Sequence, residues 1–274
     1  MNDILIASLV VAAVGLIAGI LLALISRFFG VDEDPKIKEI RACLPGINCG
    51  ACGYKGCDDY AATLAKGQAA PNLCIPGADD TAKEIGHILG VKTQAIRYMV
   101  AFVHCNGHCD ATSSQATYVG MPNCHAASML YGGPDNCRYG CLGLGDCAAV
   151  CPAEAICLKD GIAHVDASRC LGCGMCTTVC PKHVITMVPE KANIAVMCQN
   201  GDKGADARSV CSNACIGCKK CERFCPEHAI SVTNNLAKID YSKCIGCGTC
   251  VEGCPVDCLK KVFFPSLSQE TKAD

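Results

Sequence analysis

The chain repeats itself at a spacing of 74 residues, and what repeats is cysteine. Cys124, Cys137, Cys141, Cys147, Cys151, Cys170, Cys173, Cys176 and Cys180 map without a gap onto Cys198, Cys211, Cys215, Cys221, Cys225, Cys244, Cys247, Cys250 and Cys254. Self-similarity at a fixed period marks a duplicated structural unit. Three runs share one finer pattern: Cys170-Leu-Gly-Cys173-Gly-Met-Cys176-Thr-Thr-Val-Cys180-Pro, Cys215-Ile-Gly-Cys218-Lys-Lys-Cys221-Glu-Arg-Phe-Cys225-Pro and Cys244-Ile-Gly-Cys247-Gly-Thr-Cys250-Val-Glu-Gly-Cys254-Pro. Thiols this dense serve either disulfides or metal. The 274 residues include 28 cysteines, no tryptophan and only 5% aromatics, so large apolar side chains are not the main glue. A disordered chain and a plain α/β enzyme are both excluded. The net charge of −2 offers nothing to nucleic acid.

The runs have the spacing of bacterial ferredoxins, in which three cysteines hold one cubane and the fourth, before proline, reaches across to a second. They must therefore work in pairs. One position breaks the repeat: Leu144 stands where the second half has Cys218. Cys137, the nearest cysteine along the chain outside the runs, is the expected replacement. The four sets are then Cys137, Cys141, Cys147 and Cys180; Cys151, Cys170, Cys173 and Cys176; Cys215, Cys218, Cys221 and Cys254; and Cys225, Cys244, Cys247 and Cys250. Zinc is the rival, but zinc sites are closed units built from local knuckles. A crossed ligand makes sense only when two cubanes share one fold. Pro152, Pro181, Pro226 and Pro255 fix φ as the chain leaves each crossing cysteine. Short strands are expected between the runs, among them 229–233 and 236–239 around an Asn-Asn turn. The fold class is α+β, with two tandem 2[4Fe–4S] ferredoxin-like modules at 124–190 and 191–265 and a polar tail at 266–274.

Nearer the N-terminus, residues 28–80 carry Cys43-Leu-Pro-Gly-Ile-Asn-Cys49-Gly-Ala-Cys52-Gly-Tyr-Lys-Gly-Cys57 and then Cys74. Four thiolates can surround a cubane if the chain turns tightly, and Gly50, Gly53 and Gly56 permit such turns. A structural zinc site is the alternative. The segment resembles the small four-cysteine domain near the N-terminus of Rnf B subunits. That resemblance implies Cys49, Cys52, Cys57 and Cys74 as ligands, with Cys43 beside the cluster. Residues 81–123 read as a linker, with a helix over about 79–103 and His87 as a surface or packing residue. Cys157 and Cys258 lie in apolar stretches and read as small buried hydrophobes. Cys105, Cys109, Cys124, Cys198 and Cys211 leave three readings open: a sixth cluster from four of them, no cluster, or a Cys/His zinc site with His104, His108 or His125.

Residues 4–25 run 22 positions without a charge or a proline, long enough as a helix to cross the roughly 30 Å hydrocarbon core of a bilayer. Length and apolarity argue against a buried core helix. Met1, Asn2 and Asp3 form no basic leader and no cleavage site follows, which argues against a signal peptide. The expected anchor is thus 1–27, single-pass. Arg27, Lys36, Lys38 and Arg41 place the remainder on the cytoplasmic side of a bacterial plasma membrane, where structural disulfides are rare. Gly15, Gly19 and Ala23 share one face, either a surface for a neighbouring helix or merely the glycine that membrane helices carry.

No Gly-x-Gly-x-x-Gly opening a helix, no Walker loop and no nucleophile triad is visible, so a complete NAD site is not expected. Over nearly its whole length the chain resembles the B subunit of the Rnf complex, the membrane-bound ferredoxin:NAD oxidoreductase of anaerobic bacteria. Gly140-Cys-Leu-Gly-Leu-Gly-Asp-Cys147, Gly217-Cys-Lys-Lys-Cys221 and the stretch 235–240 are similar to the clostridial type. The resemblance implies an electron-relay subunit with at least five [4Fe–4S] clusters. Soluble ferredoxin is its implied donor and the membrane subunits of the complex its implied partners. Those partners reduce NAD and move sodium ions or protons. Two rivals are a relay subunit of another membrane redox complex and a zinc-stabilised scaffold.

Overall fold

The computed structural model describes residues 2–28, 34–96 and 98–264; the expected polar tail at 266–274 lies outside them, as do the side chains of residues 1–5 and 26–33. Helix α1 (Asn2–Phe28) covers the apolar run. It is the one described helix long and apolar enough to cross a membrane, and none of its Ile6–Ile25 stretch is buried against the rest of the chain. A core helix of a soluble protein would be covered; this one is not.

Three helices build the first small domain: α2 (Pro35–Cys43), α3 (Cys57–Ala65) and α4 (Ala78–Leu89). The Asp34 side chain accepts the Lys36 N–H and a proline sits in the first turn, so α2 is started twice over. Ile40, Leu44, Tyr60, Leu64 and Ile85 close its core. Helix α4 stops at Gly90, whose φ of +68° turns the chain out of the helix. The helix expected to continue to 103 is therefore shorter, and its last segment, Met-Val-Ala-Phe-Val, is strand β1 (Met99–Val103). His87 is exposed, as a surface residue should be.

The duplicated region follows. Its first half contains α5 (Cys124–Met129), α6 (Asp146–Ala149), β2 (Ile156–Lys159), β3 (Ile162–Val165), α7 (Met175–Val179) and β4 (Ile185–Pro189). Its second half contains β5 (Ile194–Val196), α8 (Gly204–Val210), α9 (Lys220–Phe224), β6 (Ile230–Thr233), β7 (Leu236–Ile239), α10 (Thr249–Glu252) and β8 (Leu259–Lys261). Each half pairs an inner hairpin with an outer antiparallel pair: β2–β3 with β1–β4, and β6–β7 with β5–β8. The Asn-Asn turn forms as expected, with φ of +51° at Asn234 and +61° at Asn235, the signature of a two-residue hairpin. Cys258 is buried, but Cys157 is exposed on β2, contrary to expectation. A four-residue strand has two faces, and Ile156 takes the inner one.

The segment 104–112 laces the halves together. His104 lies between them, its Nδ1 2.6 Å from the Val196 carbonyl and its Nε2 2.7 Å from Thr186 Oγ1. A carbonyl can only accept, so Nδ1 carries the proton and Nε2 accepts from the threonine; burial lowers the imidazole pKa and keeps the ring neutral. The Thr112 hydroxyl donates to the Val210 carbonyl at 2.8 Å, and Asn213 Nδ2 donates to the Asn106 carbonyl at 2.8 Å.

Candidate metal centres

Cysteines gather round cavities rather than points. Cys49, Cys52, Cys57 and Cys74 line a cavity of about 320 Å³ in the first domain. Cys151, Cys170, Cys173 and Cys176 line one of about 340 Å³, and Cys215, Cys218, Cys221 and Cys254 another of about 340 Å³. Cys225, Cys244 and Cys247 lie close enough to Cys250 for their charges to be felt there. Both cysteine-proline crossings in the second half are thus in place, with Cys254 among the 215 set and Cys225 among the 244 set. Cys43 does not line the first cavity; its thiol donates to the Glu39 carbonyl at 3.4 Å.

The first half departs from expectation at the position of Leu144. The cavity of about 350 Å³ containing Cys141, Cys147 and Cys180 is completed by Cys124, not by Cys137. Asp146 is the reason. Its two carboxylate oxygens accept the backbone N–H groups of Cys124 at 2.8 Å and His125 at 3.1 Å, and so hold the start of α5 over the cavity. Leu144 packs beside Cys124, Ala127 and Leu142. Cys137 instead lines a separate cavity of about 420 Å³ with Cys105, Cys198 and Cys211. This junction cavity lies between the two halves. Of the five cysteines left open by sequence, Cys105, Cys198 and Cys211 meet there, Cys124 belongs next door, and Cys109 is exposed. Chain proximity favoured Cys137 as the stand-in for Leu144. The register offers a second candidate, because Cys124 as well as Cys137 repeats in the second half outside the ferredoxin runs.

The donor chemistry fits iron–sulfur cubanes. Among the described residues no three His, Cys, Asp or Glu side chains converge on one point, and four or more cysteines line each of five cavities instead. Burial pushes the Cys147 and Cys176 thiols up to about 12, and Cys74, Cys221 and Cys250 up to about 11. A bound metal cation, iron or zinc alike, stabilises the thiolate form of such sulfurs. Backbone N–H groups point at sulfur in matching places: Ala155 to Cys151 and, 74 residues on, Ala229 to Cys225, both at 3.3 Å. At the junction, the N–H groups of Gly107 and Cys141 donate to Cys105 Sγ, each at 3.4 Å. Hydrogen bonds of this kind tune a cluster's potential.

Neighbouring sets lie near one another. Cys173 feels a charge on Cys49, and a Cβ on Gly172 would lie 3.0 Å from Ile75 of the first domain. Cys176 feels Cys147. Cys141 lines both its own cavity and the junction cavity. On the far side of the junction, Cys198 packs against the core that holds Cys215 and Cys258, and Cys258 lines the cavity of the 215 set. Within each half the two sets are also linked by crossed cysteines, Cys151 and Cys180 in the first and Cys225 and Cys254 in the second.

Comparison with known proteins agrees with this chemistry. Residues 44–76 match an Fe–S cluster family, 162–185 a 4Fe–4S binding domain and 209–261 a 4Fe–4S dicluster domain. Cys105, Cys124, Cys137 and Cys198 fall outside all three segments. The B subunit of the Na⁺-translocating ferredoxin:NAD⁺ oxidoreductase complex of Acetobacterium woodii is 44% identical over 94% of this chain and 78% of its own length. Its counterpart in the proton-translocating ferredoxin:NAD⁺ oxidoreductase complex of Clostridium ljungdahlii is 40% identical over 88% of this chain and 86% of its own. The corresponding B subunit of an ion-translocating oxidoreductase complex of Methanosarcina acetivorans is 40% identical over 89% and 93%.

Proposed function

The chain belongs to the family of B subunits of Rnf-type ion-translocating ferredoxin:NAD⁺ oxidoreductase complexes, and from that premise we propose that it conducts electrons through six [4Fe–4S] sites in single file. The observation that carries the proposal is the unbroken order of the cysteine sets. From the anchor outward they are Cys49, Cys52, Cys57 and Cys74; Cys151, Cys170, Cys173 and Cys176; Cys124, Cys141, Cys147 and Cys180; Cys105, Cys137, Cys198 and Cys211; Cys215, Cys218, Cys221 and Cys254; and Cys225, Cys244, Cys247 and Cys250. Each cluster, when bound, supplies a one-electron redox couple. The protein holds these sites in fixed succession, buries part of each sulfur set and aims N–H groups at several of the sulfurs. Without the junction set, the two ferredoxin-like halves would be separated by a gap in the series.

Reduced soluble ferredoxin donates at the second half, where Cys218 and Cys247 are exposed. The first domain, tethered a few residues beyond α1, hands electrons to membrane subunits, and those partners carry the NAD chemistry and the ion movement. Helix α1 spans the bilayer through residues 4–25, with the remainder cytoplasmic.

Iron and acid-labile sulfide on anaerobically purified full-length protein test the count. Six sites of four irons give about 24 iron atoms per chain; iron for five clusters or fewer, or stoichiometric zinc, would overturn it. Deleting residues 1–27 tests the direction. The truncated chain should keep its iron and accept electrons from reduced ferredoxin but no longer support NAD reduction by membranes. Full NAD reduction would show that tethering is not needed for handover.

A further inference from the structure

Asn200 is the most deeply buried polar side chain among the described residues, 1% exposed, and it sits against the junction cavity. Its Oδ1 accepts the Asp202 N–H at 2.7 Å. That bond settles which end of the amide is which, since a carboxamide nitrogen could not accept it. The Nδ2 end is thereby aimed at Cys137 Sγ, 3.8 Å away, while the backbone N–H of the same residue donates to Cys198 Sγ at 3.3 Å. Asp202 is fixed in its turn: Arg138 Nη2 and the Tyr139 hydroxyl each donate to its Oδ1 at 3.0 Å. One residue therefore gives a hydrogen bond to a sulfur from each half of the repeat. The matching position in the first half is Ala126, which has no side-chain donor.

We propose that Asn200 raises the reduction potential of the junction centre, its amide and backbone N–H groups stabilising the charge that an added electron places on Cys137 and Cys198. Donors to sulfur favour the more negative, reduced form of a cluster, which is how a protein lifts a potential without changing the ligands. The inference rests on the reading that the junction holds a cluster, and the two can fail separately.

The test uses full-length anaerobic protein carrying Asn200→Ser or Asn200→Leu. Serine keeps a hydroxyl for the Asp202 N–H but is too short to reach Cys137; leucine fills the volume and offers no donor. Redox titration followed by EPR gives the potentials, and the junction signal is the one missing from Cys105→Ala. Both variants should keep wild-type iron and lower the midpoint of that signal alone. Unchanged midpoints with full iron would overturn the role given to Asn200. So would loss of the junction cluster in both variants, because the residue would then hold the site rather than tune it. Wild-type iron for only five clusters would instead overturn the reading beneath it.

Discussion

The two halves of the repeat share nine cysteines in register and still do not do the same thing with them. Cys124 and Cys198 occupy equivalent positions, yet Cys124 faces the cavity of its own half and Cys198 faces the junction. The difference traces to Leu144 against Cys218. On the assignment proposed above, the extra cysteine of the complete run serves the junction, and the extra cysteine of the broken run completes its own set. Cys137 and Cys211, by contrast, keep equivalent roles and meet across the junction. A duplicated motif thus fixes the list of sulfurs, but one side chain decides their destination.

The comparison breaks most sharply if Cys124 is removed. Cys124→Ala should cost the first half one cluster, about four irons per chain, while Cys137→Ala should cost the junction cluster and leave Cys141, Cys147 and Cys180 filled. Iron content and the EPR species lost distinguish the two; loss of the same species in both would restore Cys137 to the first half. The reciprocal change sharpens it. Leu144→Cys placed in the Cys124→Ala background should recover the missing four irons, because it rebuilds the run found at Cys218. Failure to recover iron would mean that the leucine position no longer faces the cavity.

Smaller effects should follow from the backbone. Gly143 and Gly217 are equivalent, at φ of +66° and +61°, but a Cβ on Gly143 would lie 2.3 Å from the Gly161 carbonyl oxygen and one on Gly217 2.9 Å from Asn235. Gly143→Ala should destabilise by at least the ~1–3 kcal/mol of a strained residue, and by more than Gly217→Ala. The temperature at which cluster absorbance is lost reports the order. Least of all should come from the surface. Arg169 pairs with Glu154 at 3.6 Å with side chains 53% and 87% exposed, and its equivalent, Lys243, pairs with Asp240 at 3.8 Å. Alanine at either basic position should change stability by less than about 1 kcal/mol.

Much of this was legible from spacing alone. The ferredoxin runs, the crossing cysteines, the hairpin at Asn234 and Asn235 and the apolar helix all follow from local rules with short range. Strand β1 was not, because its pairing with β4 is a long-range fact, and a stretch next to a helix reads as more helix until Gly90 is weighed. That Cys124 rather than Cys137 lines the cavity beside Leu144 was hidden for a related reason. Distance along the chain ranked Cys137 first, whereas the carboxylate of Asp146 draws in Cys124 from further away. The junction cavity is half legible: Cys105, Cys198 and Cys211 stand outside the ferredoxin runs, whereas Cys137 lies closest along the chain to the broken one.

The junction cavity has a consequence for how the protein matures. Every other site draws its sulfurs from a single domain or half and can be loaded as soon as that piece has folded. The junction alone requires the two halves to have docked, with the strap at 104–112 drawn across them. A chain whose halves misalign would still be brown, still carry most of its iron and still accept electrons at one end. On the single-file path proposed above, it would nonetheless be an open circuit, interrupted at its midpoint, so nearly complete cofactor loading is compatible with no throughput at all.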